Sequence, residues 1–214
     1  LAAALEHATA QGALKDLEVL DLNSNEIGDE GLRHVADALA RGAAPALKDL
    51  TVWGNEIGDE GAIAIGEALE VSTTVTKINL NRNNIGDEGM KAFASAIASG
   101  ALGSLVELSL YQNRIGDEGI EAFASAIATG SLGSLVKLDL QVNAIGDAVL
   151  RDLILAIVQQ PGRRQELTAT VAEAVAAFVA AAVGPAVGGD GALLVQHALL
   201  KLRQMPSCKQ DEQA

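Results

Sequence analysis

Large rings are scarce in this chain. Three Phe, one Tyr and one Trp make aromatics 2% of 214 residues, although 49% are hydrophobic. That excludes a core built on rings and leaves Leu, Ile, Val and Ala to fill thin layers. Cysteine is scarcer still: Cys208 stands alone in a polar C-terminal segment, which excludes an internal disulfide framework and fits a cytoplasmic or other reducing compartment. Basic residues are outnumbered, 15 Lys and Arg against 28 Asp and Glu, for a formal net charge of -13. Binding to nucleic acid rests on neutralising phosphates, so this balance argues against it, and against anionic membrane surfaces. It favours a basic partner, or serves solubility alone.

Other absences concern chemistry and membranes. The apolar stretch 174–189 falls short of the roughly 20 residues that span a bilayer, and Gly184-Pro185 interrupts it. No P-loop, G-x-S-x-G or dinucleotide glycine pattern occurs. His7, His34 and His197 are scattered, without partners at metal-ligand spacing, and Cys208 has no evident base. These absences predict no catalytic residue, no metal and no cofactor.

What is present is a repeat. Asn25, Asn55, Asn83, Asn113 and Asn143 are each followed two residues on by Ile-Gly-Asp, at spacings of 30, 28, 30 and 30 residues. Each copy reads L-x-x-L-x-L-x-x-N-x-I-G-D, with Val or Ile at some Leu positions, as in Leu17, Leu20, Leu22, Asn25, Ile27, Gly28 and Asp29. The alternation Leu20-x-Leu22 has the period of a strand with both leucines on one face. After the Asp the period becomes helical: Ile120, Phe123, Ala124 and Ile127 fall at i, i+3, i+4 and i+7. One strand and one helix leave an apolar face that only the next coil can cover, so the copies stack as a solenoid.

The repeated polar residues explain themselves structurally. The Asn amide sits where the strand turns toward the helix and can bond backbone of its own and the neighbouring coil. The Gly suits a tight turn, and Asp29, Asp59, Asp87, Asp117 and Asp147 are of a preferred N-cap type. Glu30, Glu60, Glu88 and Glu118 fall in the first helical turn, where negative charge suits the helix dipole. A calcium array is not implied, because each coil offers only an adjacent Asp-Glu pair rather than a converging loop.

These five copies resemble leucine-rich repeats. Their period and helical second half resemble the ribonuclease-inhibitor-like class, which includes the repeat domains of NOD-like receptors and the Ran GTPase-activating protein. The resemblance implies an α/β leucine-rich-repeat solenoid, a horseshoe arc with parallel strands on its concave face and helices on its convex face. Residues 1–147 form the solenoid, with its first coil incomplete. Residues 2–22 align with the helix-to-strand half of a repeat, so residues upstream are expected to be missing. After the fifth copy the pattern decays. Helices are expected to Gln160, over 163–183 and over 192–204, making 148–204 a helical C-terminal cap and 205–214 a polar tail.

The unrepeated positions point to function. Stacking the copies gives a column Asn23, Trp53, Asn81, Tyr111 and Gln141, which holds the only Trp and the only Tyr. The columns beside it are Asp21, Thr51, Asn79, Ser109 and Asp139, and Ser24, Gly54, Arg82, Gln112 and Val142. A further column, Val19, Asp49, Lys77, Glu107 and Lys137, alternates in sign over its last four positions. Trp, Tyr and Arg are the side chains most enriched at interface hot spots. Trp53, Arg82 and Tyr111, with Asn79, Asn81 and Gln112, therefore form the candidate partner-binding face of a non-catalytic interaction module. Two alternatives stand beside it. One is a structural subunit docked in a large complex through the C-terminal helices or the Ala-rich runs 92–98 and 122–128. The other, a GTPase regulator, rests on the resemblance alone.

Overall fold

Leu50-Thr51-Val52 shows why each repeat opens with a strand: Leu50 and Val52 are fully buried while Thr51 between them is half-exposed. The structure is a computed structural model that describes residues 7–8, 10–70 and 74–158. Among these residues five strands, β1 (Val19–Asp21), β2 (Asp49–Thr51), β3 (Lys77–Asn79), β4 (Glu107–Ser109) and β5 (Lys137–Asp139), alternate with five helices. The helices are α1 (Gly28–Ala40), α2 (Asp59–Leu69), α3 (Asp87–Ala98), α4 (Asp117–Ala128) and α5 (Asp147–Val158). The strands form one parallel sheet in chain order. Their register matches Val19, Asp49, Lys77, Glu107 and Lys137, and likewise Asp21, Thr51, Asn79, Ser109 and Asp139. Those two columns inferred from spacing are therefore columns in space. The expected helices beyond Val158 and the polar tail lie outside the described residues.

The core runs between sheet and helices. Leu47, Leu50, Val52 and Ile57 of the second coil are at most 1% exposed, and their counterparts Leu105, Leu108, Leu110 and Ile115 are fully buried. Phe93 and Phe123 close the helical side, also fully buried. The Ala-rich runs turn out to be largely interior. Phe93, Ala94, Ala96 and Ile97, and likewise Phe123, Ala124, Ala126 and Ile127, are buried, which leaves chiefly Ser95, Ala98, Ser125 and Ala128 outside. Packing between coils accounts for the apolar residues of these runs, while the exposed ones are small and uncharged.

Two side-chain columns join the coils, and they reach in opposite directions. From the second coil on, each repeat Asn reaches back. Asn83 Oδ1 accepts the N–H groups of Asn55 and Ile57 in the preceding coil, both at 3.0 Å, and its Nδ2 donates to Val52 O at 3.1 Å and Leu80 O at 3.0 Å. Asn55 does the same toward Asn25, Ile27 and Leu22. Each repeat Asp reaches forward. Asp59 Oδ1 accepts from Gly86 N at 2.7 Å and Gly89 N at 2.9 Å, and Asp87 accepts from Gly116 and Gly119 of the following coil.

The Asp geometry corrects the expected N-cap. From α2 to α4 the capping position is the preceding Gly, and its helix has no side-chain cap of its own. The carboxylate that satisfies the free N–H groups comes from the coil before, so the cap is also an inter-coil bond. The second glycine of Gly-Asp-Glu-Gly makes room for it. A Cβ on Gly89 would lie 2.8 Å from Asp59 Oδ1, Ala62 Cβ and Ile85 Cγ2. In the fifth coil Val149 takes this place, and only Gly146 N bonds Asp117, at 2.6 Å.

Surface ion pairs also tie neighbouring coils. Glu18 meets Lys48 at 2.7 Å and Glu107 meets Lys137. Lys91 binds Glu88 of its own helix at 2.8 Å and Glu118 of the next at 3.0 Å, bonds that raise its pKa above the ordinary lysine value. Exposed pairs of this kind contribute little.

A left-handed backbone recurs one residue before each repeat Asn. Ser24, Gly54, Arg82, Gln112 and Val142 have φ of 54, 66, 51, 55 and 57°. The turn bends the chain out of the strand and keeps the N–H in the parallel ladder: Ser24 N donates to Trp53 O and Arg82 N to Tyr111 O, both at 2.8 Å. This conformation costs an L-residue roughly 1–2 kcal/mol, and only one of the five is glycine.

Two predictions follow from these bonds and this strain. Asn83→Ala orphans two N–H groups and several carbonyls and should lower stability by about 2–4 kcal/mol, whereas Asn25→Ala, exposed at the sheet edge, should cost less than about 1 kcal/mol. Equal losses in urea unfolding would show that the Asn column does not hold the coils. Val142→Asn should raise stability by about 0.5–1 kcal/mol in urea unfolding, because Val142 is 60% exposed and β-branched while Asn tolerates positive φ. A loss of stability there would contradict the strain.

Candidate functional site

The aromatic column alternates with asparagine for a backbone reason. Every N–H along it receives a side-chain acceptor. In the odd coils the acceptor is local: Asn23 N donates to Asp21 Oδ1 at 3.0 Å, Asn81 N to Asn79 Oδ1 at 3.1 Å and Gln141 N to Asp139 Oδ1 at 3.1 Å. In the even coils it comes from the coil before: Trp53 N donates to Asn23 Oδ1 and Tyr111 N to Asn81 Oδ1, both at 2.8 Å. Thr51 Oγ1 donates to the same Asn23 oxygen at 2.7 Å. A ring cannot supply such an acceptor, so Trp53 and Tyr111 are separated by Asn81 and each is pinned from one side.

The six sequence-predicted site residues divide by what they do internally. Asn79 and Asn81 spend their oxygens on backbone and are half-buried, a role the spacing alone did not reveal. Trp53 and Tyr111 are half-buried on neighbouring even coils, two strand spacings or about 10 Å apart. Arg82 and Gln112 are exposed on left-handed turns at the strand exits. The structure brings Arg82 onto Trp53: its Cζ lies 5.1 Å from the ring centroid, within cation–π range. No carboxylate among the described residues pairs with Arg82. Tyr111 joins this pair only through the backbone, where its carbonyl accepts the Arg82 N–H at 2.8 Å.

Beside the stacked pair runs an open groove of about 480 Å³ along the strand exits of the second to fourth coils. Arg82, Asn84, Gln112 and Arg114 line it, with Glu56 and Gly54 at one end. The repeat asparagines Asn83 and Asn113 form its floor, their amides engaged in the inter-coil bonds. Sequence reasoning missed Arg114 and Asn84. Both follow a repeat Asn directly, so they read as part of the repeat rather than beside it. Among the described residues no cluster of His, Cys, Asp and Glu is placed to hold a metal ion, and no helix is long and apolar enough to cross a membrane.

Comparison with known proteins agrees with this architecture. A family model described as Leucine Rich repeat matches residues 13–36, 45–66, 71–94 and 104–124. No curated protein matches. Among solved structures, leiomodin-1 actin-binding site 2 is similar, with a TM-score of 0.59 and 18% identity over 80% of this chain and 95% of that one. The tropomodulin C-terminal domain of Caenorhabditis elegans is similar too, with a TM-score of 0.57 and 16% identity over 74% of this chain and 94% of that one. At such identities the likeness concerns the fold. The chain carries leucine-rich repeats and folds as a leucine-rich-repeat solenoid.

Proposed function

We propose that this chain is a non-catalytic recognition module that holds a protein partner on its sheet face and strand exits. Trp53, Arg82 and Tyr111 form the centre, with Asn79, Asn81 and Gln112 around them. The observation that carries this reading is the Arg82 guanidinium set over Trp53 without a carboxylate partner among the described residues. An aromatic and a cation pre-ordered on a rigid ladder lose little freedom when a partner arrives. Such residues are also the ones that dominate measured interfaces. The repeated residues are poor candidates, since their polar atoms are engaged between coils.

A similar structure is named for an actin-binding site, so actin is the first partner to assay, by co-sedimentation with filaments and by binding to monomer. Affinity capture from a native extract covers other proteins. The double variant Trp53→Ala with Tyr111→Ala should weaken capture of whichever protein binds by at least about tenfold, as expected for loss of hot-spot side chains. Its unfolding midpoint should stay close to that of the parent, because both rings are half-exposed. A folded double variant that captures the partner undiminished overturns the proposal.

A further inference from the structure

We infer that the groove beside Trp53 takes an acidic, extended peptide segment of the partner, its carboxylates bound by Arg82 and Arg114. This rests on the recognition reading above and names the chemistry of what is recognised. It runs against the net charge of -13, which alone would favour a basic partner.

The local balance differs from the global one. The groove is lined by two guanidinium groups, Arg82 and Arg114, against one carboxylate, Glu56. No carboxylate lies within ion-pair distance of either arginine among the described residues, whereas Lys48 and Lys137 each have one and Lys91 has two. The acids of the neighbouring turns are taken: Asp59 and Asp87 accept backbone N–H groups of the following coil. The Asn83 and Asn113 oxygens are likewise occupied. The side chains left to meet a ligand are those of Arg82, Arg114, Asn84, Gln112 and Glu56, and apart from Glu56 they offer mostly donors. A surplus of donors and positive charge calls for carboxylates, and planar guanidinium binds these in a two-bonded fork.

Geometry sets the form of the ligand. Arg82 leaves a left-handed turn whose N–H is bonded to Tyr111 O at 2.8 Å, and Arg114 N is bonded to Ile85 O at 2.8 Å. Both side chains thus start from fixed ladder positions, one coil and two residues apart in register. Adjacent coils are about 4.8 Å apart at their strands, so an extended peptide, whose alternate residues lie ~7 Å apart, can set carboxylates against both coils. The Arg82 Cζ sits 5.1 Å from the Trp53 ring centroid, and no carboxylate among the described residues takes its N–H groups. At physiological salt the remote acidic surface is screened beyond ~8 Å, so the local groove governs contact.

Three ten-residue peptides test this on the full chain: glutamate alternating with threonine, the same with glutamine for glutamate, and the same with lysine. Calorimetry gives affinity, and emission of Trp53, the only Trp, reports location. The glutamate peptide should bind saturably and change Trp53 emission, while the glutamine peptide binds at least tenfold more weakly. Arg114→Gln should weaken the glutamate peptide severalfold without altering the Trp53 stack, and Arg82→Gln with Arg114→Gln by at least tenfold. Glu56→Gln should strengthen it. Equal binding of the glutamine peptide, full binding by the folded double arginine variant, or no Trp53 response to the glutamate peptide each overturn the inference. Preference for the lysine peptide overturns it while leaving the recognition face standing, which is judged separately by partner capture with the Trp53 and Tyr111 variant.

Discussion

Everything in this solenoid depends on giving the N–H groups of each strand-to-helix turn an acceptor in a neighbouring coil. The turn cannot satisfy them itself, because it is leaving one regular structure and has not begun the next. An unpaired buried backbone group costs about as much as several ordinary hydrogen bonds contribute. The Asn column supplies acceptors to the coil before, and the Asp column supplies them to the coil after. Neither coil of a pair is complete without the other, so stacking is a condition of folding each turn as well as a way of covering apolar surface.

The same demand shapes the face between the columns. Asn23 and Asn81 give their oxygens to the N–H of an aromatic one coil on, while Asp21, Asn79 and Asp139 serve the coil they belong to. The aromatic positions are therefore the ones relieved of backbone duty. That is why side chains fit for recognition collect in the even coils, and why Arg82, in the odd coil between them, reaches Trp53 from the turn rather than from the strand. The left-handed turn recurs in every coil and is strained in all but the second, where it falls on Gly54, so it belongs to the architecture rather than marking a site.

Much of the fold was legible in the residues. The period of the Asn residues, the Leu-x-Leu alternation and the change to helical spacing fix strand, helix and register, because each reflects a local geometric rule. The columns at Asp49 and Thr51 follow from counting alone. The direction of the Asp carboxylates was not legible. A sequence shows that an Asp begins a helix, and capping of that helix is the local inference; that the oxygen serves the next coil depends on how closely the glycines let the helices approach. The Ala-rich runs pose a related question. Absence of charge marks burial, but does not say whether the covering surface is a partner or the adjacent coil.

By itself, then, the sequence determined that the chain stacks strand-and-helix coils and that its unrepeated residues lie on the sheet face, since period and alternation are properties of the chain. Only the tertiary structure decided which polar atoms remain available. Hydrogen bonds consume the oxygen of Asn79 within its own coil and that of Asn81 in the next, while the stacking of coils sets Arg82 over Trp53 and leaves Arg114 exposed. The reason is that a side chain's spare bonding capacity is set by neighbours some thirty residues away in the chain and one strand spacing away in space.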